Sequence, residues 1–176
     1  MNMFTRAAGA AAALCLIASP AYAAGFMKIP DIPGESQRAD HEDEIDFSTV
    51  TWSVASDASA QVGAGRARAR SQVGPVIVEK AVDSSSPYLF QAAATGKSFK
   101  EVTLAVRKDS GEAHLDYLTI TLTNVKIASV ESMAGDASTE QVTLNYEKIN
   151  IKYVEQADDH SAGDEHEIEY DVARGA

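Results

Sequence analysis

The stretch Ile29-Pro30-Asp31-Ile32-Pro33-Gly34-Glu35-Ser36, followed through an acidic run to Ile45-Asp46-Phe47-Ser48-Thr49-Val50-Thr51-Trp52, decides the fold. Ile45 and Phe47 share one parity, whereas Val50, Trp52 and Val54 share the other. Side chains of a strand alternate strictly, so the apolar face has changed sides around Ser48-Thr49. The same change recurs twice. Leu118, Ile120 and Leu122 give way to Val125 and Ile127 near Asn124, and Val142, Leu144 and Tyr146 give way to Ile149, Ile151 and Tyr153 across Glu147-Lys148. Strands that switch faces midway are bulged or sharply bent, as in orthogonally packed sheets and barrels. The pattern predicts a mainly β chain of two packed antiparallel sheets forming a β-barrel-like domain.

Upstream of the quoted stretch, Phe26 to Ile29 reads as an edge or opening strand ended by Pro30 and Pro33, with Gly34 supplying a positive φ for the turn. Residues 37–44 read as a solvated acidic loop around His41, and Trp52 as a core residue. Residues 1–23 carry Arg6, an apolar run from Ala7 to Ala18, a break at Ser19-Pro20 and Ala21-Tyr22-Ala23, the pattern of a secretory signal cut after Ala23. That apolar run is too short to span a bilayer, so no stable membrane insertion is expected after cleavage.

Downstream, one helix is expected over about residues 86–95. Ser85 or Ser86 would cap it, Pro87 suits its first turn and Gly96 closes it. Residues 57–72 and 157–166 read as mobile loops, with Arg66, Arg68 and Arg70 offering a cationic face to a subunit or partner. Ile168, Tyr170 and Val172 alternate as a final strand. The domains are thus a signal at 1–23 and one β-barrel domain at 24–176.

Charge and chemistry narrow the function. Fifteen Lys and Arg stand against 26 Asp and Glu, a net charge of −11; setting aside Arg6, the one charged residue of 1–23, leaves −12. Such a surface disfavours nucleic acid and anionic lipid. The sole cysteine, Cys15, lies in the leader, so the domain relies on packing and assembly rather than disulfides. His41, His114, His160 and His166 sit among acids but in no H-E-x-x-H spacing, and no serine occupies a G-x-S-x-G elbow. No catalytic residue, metal site or cofactor is assigned, and the chain is not expected to be an enzyme.

Several motifs then fall in order: Ile32-Pro33-Gly34-Glu35-Ser36, His41, Ile45-Asp46 leading to the Trp52 strand, and Asp83-Ser84-Ser85-Ser86-Pro87 with Ala94-Thr95-Gly96-Lys97. Val102 to Lys108, Tyr117 to Val125, Glu140 to Tyr146 and Tyr170-Asp171-Val172 complete the series. Over about residues 27–173 the chain resembles the haemolysin-coregulated protein (Hcp) family, the tube subunit of bacterial type VI secretion. The resemblance implies homo-hexameric rings stacking into an exported tube, with spike or small effector proteins as partners and no catalysis. It gives Gly34, Glu35, Ser36, Trp52, Pro87 and Gly96 structural roles. Subunits of that family are exported by the machine itself and normally carry no Sec-type signal. The leader therefore raises an alternative: a Sec-exported periplasmic or extracellular Hcp-like binding module that is not part of a secretion tube.

Overall fold

The computed structural model describes residues 24–56, 71–110, 113–136, 138–157 and 161–175. The leader at 1–23 and the segment holding Arg66, Arg68 and Arg70 lie outside the described residues. Eleven strands and one helix occur among those described: β1 (Ala24–Lys28), β2 (Ile45–Phe47), β3 (Thr49–Thr51), β4 (Val54–Ser56), β5 (Ser71–Val73), β6 (Val76–Ala81), α1 (Ser86–Thr95), β7 (Ser98–Ser110), β8 (Ala113–Met133), β9 (Thr139–Asn145), β10 (Lys148–Gln156) and β11 (Ala162–Asp171). The hydrogen-bonded order is β2-β1-β7-β8-β9-β6-β3, every pair antiparallel. β2 and β3 sit at opposite ends of that order yet are separated only by Ser48, so the sheet closes on itself. β10 and β11 branch from β8, and β4 and β5 form a separate hairpin. The fold is a mainly β, barrel-like domain with one short helix.

Closure depends on the face switches. At Ser48, the backbone N–H and the hydroxyl both donate to the Glu79 carbonyl, at 2.8 and 3.0 Å, and pin the corner. Ile45 and Phe47 are buried before it, and Val50 packs on the core after it. The other two switches are one feature. The register that pairs Phe99 with Val125 and Glu101 with Thr123 sets Lys100 opposite Asn124. The Glu147 N–H bonds the Thr123 carbonyl at 3.0 Å, while Asn124 Nδ2 donates to Glu147 Oε2 at 2.6 Å. The bend therefore crosses β7, β8 and the β9–β10 junction in a single row. Asn124 has φ 53°, the left-handed region that asparagine tolerates better than most residues. On one side of this row β8 pairs with β10, and on the other with β9. Ile120, Leu122, Val125, Val142, Leu144 and Ile149 are all buried around it, which is why both parities read as core.

The helix buries Leu89 and Ala92 against the barrel. Gly96 takes φ 67° and ψ 28°, and the Gly96 and Lys97 N–H groups bond the Ala93 and Ala92 carbonyls, a Schellman ending. Pro87 lies in the first turn, as expected. Ser85 is the N-cap residue but its side chain does not cap the helix; its hydroxyl donates to Asp83 instead.

Other expectations are corrected. β1 is no edge strand: it lies between β2 and β7 with Phe26 and Met27 both buried, and the prolines simply follow it. Gly34 is not among the positive-φ residues; Asp31, at φ 64°, makes the left-handed turn. Glycine is needed at 34 because a Cβ would come within 2.3 Å of the Glu44 carbonyl oxygen. Trp52 is 39% exposed rather than core, because β3 ends at Thr51 and the chain leaves the barrel there. Of the loop expected at 57–72, residues 57–70 lie outside the described residues, and Ser71 and Gln72 belong instead to β5, paired with Ser56 and Ala55. Of the loop expected at 157–166, residues 158–160 lie outside the described residues, and Ala162 to His166 belong instead to β11; that stretch carries no large apolar side chain, and its cross-strand partners rather than apolar alternation hold it in the ladder.

Replacing Gly96 by Val should destabilise the domain by about 1–3 kcal/mol in denaturant unfolding. A Cβ there meets nothing within 4 Å, so the cost is backbone conformation alone, and Gly96→Asn should cost less. An unchanged midpoint for the valine variant would show the left-handed cap to be irrelevant.

Candidate functional site

The loop that opens the chain's signature closes on the start of the helix. Gly34, Ser36 and their partners Asp43 and Glu44 form a short backbone ladder: the Gly34 N–H bonds the Asp43 carbonyl, the Ser36 N–H bonds Glu44, and the Asp43 N–H bonds Ser36. That ladder projects Glu35 outward, where its Oε1 accepts the Ser84 N–H at 2.9 Å. Glu35 thus joins the Gly34-Glu35-Ser36 loop to the Asp83-Ser84-Ser85-Ser86 turn within one chain.

Behind that turn lies a buried cation. Lys80 continues the inward parity of Val76 and Val78 on β6, and Glu140 that of Val142 and Leu144 on β9; the register sets them directly opposite. Lys80 Nζ donates to Glu140 Oε1, Asp83 Oδ1 and the Ala81 carbonyl, each at 2.7 Å, which uses all three of its protons. Glu140 also accepts from the Ser86 and Ser132 hydroxyls at 2.7 and 3.1 Å. One cluster therefore ties β6, β8, β9 and the N-terminal turn of α1 together.

A second cluster sits toward the C-terminal end of β7. Arg107 and Asp116 are opposite each other next to the register shift between β7 and β8. Arg107 Nε and a terminal nitrogen donate to Asp116 at 2.6 and 3.2 Å, and its other terminal nitrogen reaches the Ala39 carbonyl at 2.8 Å. His41, expected in a solvated loop, is only 7% exposed. Its ring stacks on Phe26 at 4.1 Å, with Nδ1 2.8 Å from Glu44 and Nε2 3.1 Å from Asp116. Burial alone would raise the Asp116 carboxyl. The hydrogen bond and charge of Arg107, joined by those of His41, outweigh it and hold the group below its ordinary value.

Both ring nitrogens of His41 face carboxylates and one ring face is covered, so the imidazole has no nitrogen to offer a substrate. Of the other histidines, His166 is exposed and lies 3.2 Å from Glu155, His114 is exposed, and His160 is outside the described residues. Among the described residues, no group of three or more His, Cys, Asp or Glu is arranged to hold a metal ion.

Sequence reasoning missed Lys80, Glu140, Arg107 and Asp116. The first two carried a readable signal, charges of opposite sign at inward parity on two strands. Trp52, Pro87 and Gly96 fall at separate places: Trp52 beside the β4–β5 hairpin, Pro87 and Gly96 at opposite ends of α1. They form no common site.

Comparisons with known proteins agree on one family. Residues 26–153 match the family model described as "Type VI secretion system effector, Hcp". The protein hcp1 of Pseudomonas aeruginosa is 34% identical over 137 residues, which covers 76% of this chain and 85% of that protein. The crystal structure of Hcp1 from Salmonella typhimurium superposes with a TM-score of 0.71 at 28% identity, covering 86% of this chain and 97% of that one. A type VI secretion system effector from Yersinia pestis gives 0.67 at 28% identity, over 84% and 98%.

Lys80→Met should cost about 3–5 kcal/mol, because it leaves Glu140 buried without its cation. The double variant Lys80→Met/Glu140→Leu should lose much less than the sum of the singles; strictly additive losses in a double-mutant cycle would refute the coupling. Asp116→Asn should cost about 1–3 kcal/mol at pH 7. The folded-state value of Asp116 is depressed, so its contribution is present above the unfolded value near 4 and fades as pH falls through the folded one. The gap between wild type and Asp116→Asn, followed by denaturant unfolding from pH 7 down to pH 2, should therefore narrow on the acid side.

Proposed function

This chain belongs to the Hcp family of type VI secretion proteins, and from that premise we propose that residues 24–176 form one domain that assembles into hexameric rings. The rings stack into a hollow tube that leaves the cell through the secretion machine, carrying spike or small effector proteins as partners. The observation that carries this reading is the extent of the match: residues 26–153 run from within β1 into β10, so the helix and all of the closed barrel but the first two residues of β1 fall inside it. The role is structural, and the domain works by presenting surfaces to copies of itself. Gly34, Glu35, Ser36, Pro87 and Gly96 serve that role by fixing the loop and helix on the barrel. Arg66, Arg68 and Arg70 supply a contact to a neighbouring subunit or partner.

Residues 1–23 favour a second reading. Their charged start, apolar run and Ala21-Tyr22-Ala23 site are those of a Sec signal. On that reading the mature protein is a periplasmic or extracellular binding module on the same fold, outside any tube.

Gel filtration and negative-stain microscopy of residues 24–176 should give six-membered rings. A monomer at every concentration would remove the tube reading. The two readings part on location: secretion-machine inactivation should abolish the extracellular protein on the first, whereas the second expects a periplasmic form whose N-terminus is Ala24.

A further inference from the structure

Among the described residues, two of the exposed apolar patches differ in charge. The first is a cleft. The β4–β5 hairpin faces β10 and β11, and Trp52, Val54, Tyr146, Ile151, Ile168 and Tyr170 help line about 200 Å3 between them. The apolar face runs out of the core row by row. Ile120 is fully buried, Ile151 opposite it is half-buried, and Ile168 opposite Ile151 is 59% exposed. Val54, across the cleft, is 70% exposed. Among the described residues β11 pairs only with β10, and it carries Asp164, Glu165, Glu167 and Glu169 with no Lys or Arg.

The second patch is the outer face of α1. Leu89 and Ala92 turn inward, which leaves Tyr88 and Phe90 52% and 66% exposed. Residues 86–100 contain Lys97 and Lys100 and no carboxylate, in a domain with twelve more acids than bases. Lys97 lies 5.1 Å over the Phe99 ring, and its one ion pair among the described residues is with exposed Asp31 at 3.3 Å, a contact weak enough to be exchanged.

We infer that these patches are the two halves of one subunit contact: Tyr88 and Phe90 of one copy enter the Trp52–Ile168 cleft of the next, with Lys97 and Lys100 toward the β11 carboxylates. This rests on the ring reading and specifies its interface. A closed ring needs two different, mutually complementary surfaces on every subunit. Aromatic side chains seated in an apolar pocket supply most of the energy of such contacts, and opposite charge at the rim sets their orientation. Cleft against cleft would bring two acidic β11 strands together, and helix against helix would bring together like lysines. Charge therefore selects the crossed pairing.

The experiment uses Phe90→Asp and Ile168→Asp in residues 24–176. Both side chains are exposed, so circular dichroism should show folded chains. Each variant alone should run as a monomer in gel filtration at a concentration where the wild type forms rings. Mixed one to one, the intact cleft of Phe90→Asp should accept the intact helix of Ile168→Asp, and the product should be a dimer and nothing larger. Because the chain has one tryptophan, adding Trp52→Phe to the Ile168→Asp chain leaves the emission of the Phe90→Asp cleft alone to report the event. It should move to shorter wavelength on mixing. Rings that survive either substitution, or a mixture that stays monomeric, overturn the crossed pairing while the ring reading stands. A wild type that forms no ring overturns both.

Discussion

Everything in this barrel depends on one row of residues, Lys100, Asn124 and Glu147, at which neighbouring strands turn together. A hydrogen-bonded ladder cannot bend at one strand alone without breaking bonds to the next. Here β7, β8 and the β9–β10 junction bend in register, so the ladder survives the turn. β8 can then run for 21 residues through both halves of the fold, exchanging β10 for β9 as its neighbour. The left-handed Asn124 is the local expense, and its side chain offsets part of it by bonding Glu147 across the row. Ser48 does the equivalent work on the opposite side, where the two ends of the sheet meet.

The buried polar clusters make the helix and the opening loop part of that barrel. α1 buries only Leu89 and Ala92, too little apolar surface to dock firmly for a helix of ten residues. Its position is fixed from its N-terminal turn, where Ser86 reaches Glu140, Asp83 reaches Lys80, and Glu35 reaches Ser84. The 34–44 loop is held at its other end by His41, which stacks on Phe26 and meets Asp116 beside Arg107. Three segments distant in sequence therefore depend on charges that the barrel itself buries.

Much of this was legible in the residues. Parity alone located the bends at Ser48, Asn124 and Glu147, because a buried face cannot change sides in a straight strand. Pro87 and Gly96 bounded the helix, each by a conformational restriction that acts locally. What stayed hidden depended on partners far away in sequence. His41 lies in an acidic run that reads as solvated, and only folding brings Phe26 and Asp116 against it. Trp52 continues the parity of Val50, but the chain departs from the sheet after Thr51, which no alternation pattern records. Polar β11 gives no periodic signal at its start, since its pairing with β10 uses Lys152 with Glu165 and Asn150 with Glu167 instead of an apolar face.

The Lys80–Glu140 pair has a further meaning for how β6 finds β9. Val76 and Val78 facing Val142 and Leu144 make an apolar match that a shift of two residues would largely preserve, because parity is unchanged. Shifted one way, Lys80 would face Val142; shifted the other, Glu140 would face Val78. Either arrangement parts Glu140 from Lys80, and where Glu140 stays buried without its cation the cost is several kcal/mol. Apolar residues make the two strands adhere, but they do not say where. The buried ion pair acts as an address, admitting one alignment from a set that greasy side chains alone would leave nearly equal in energy.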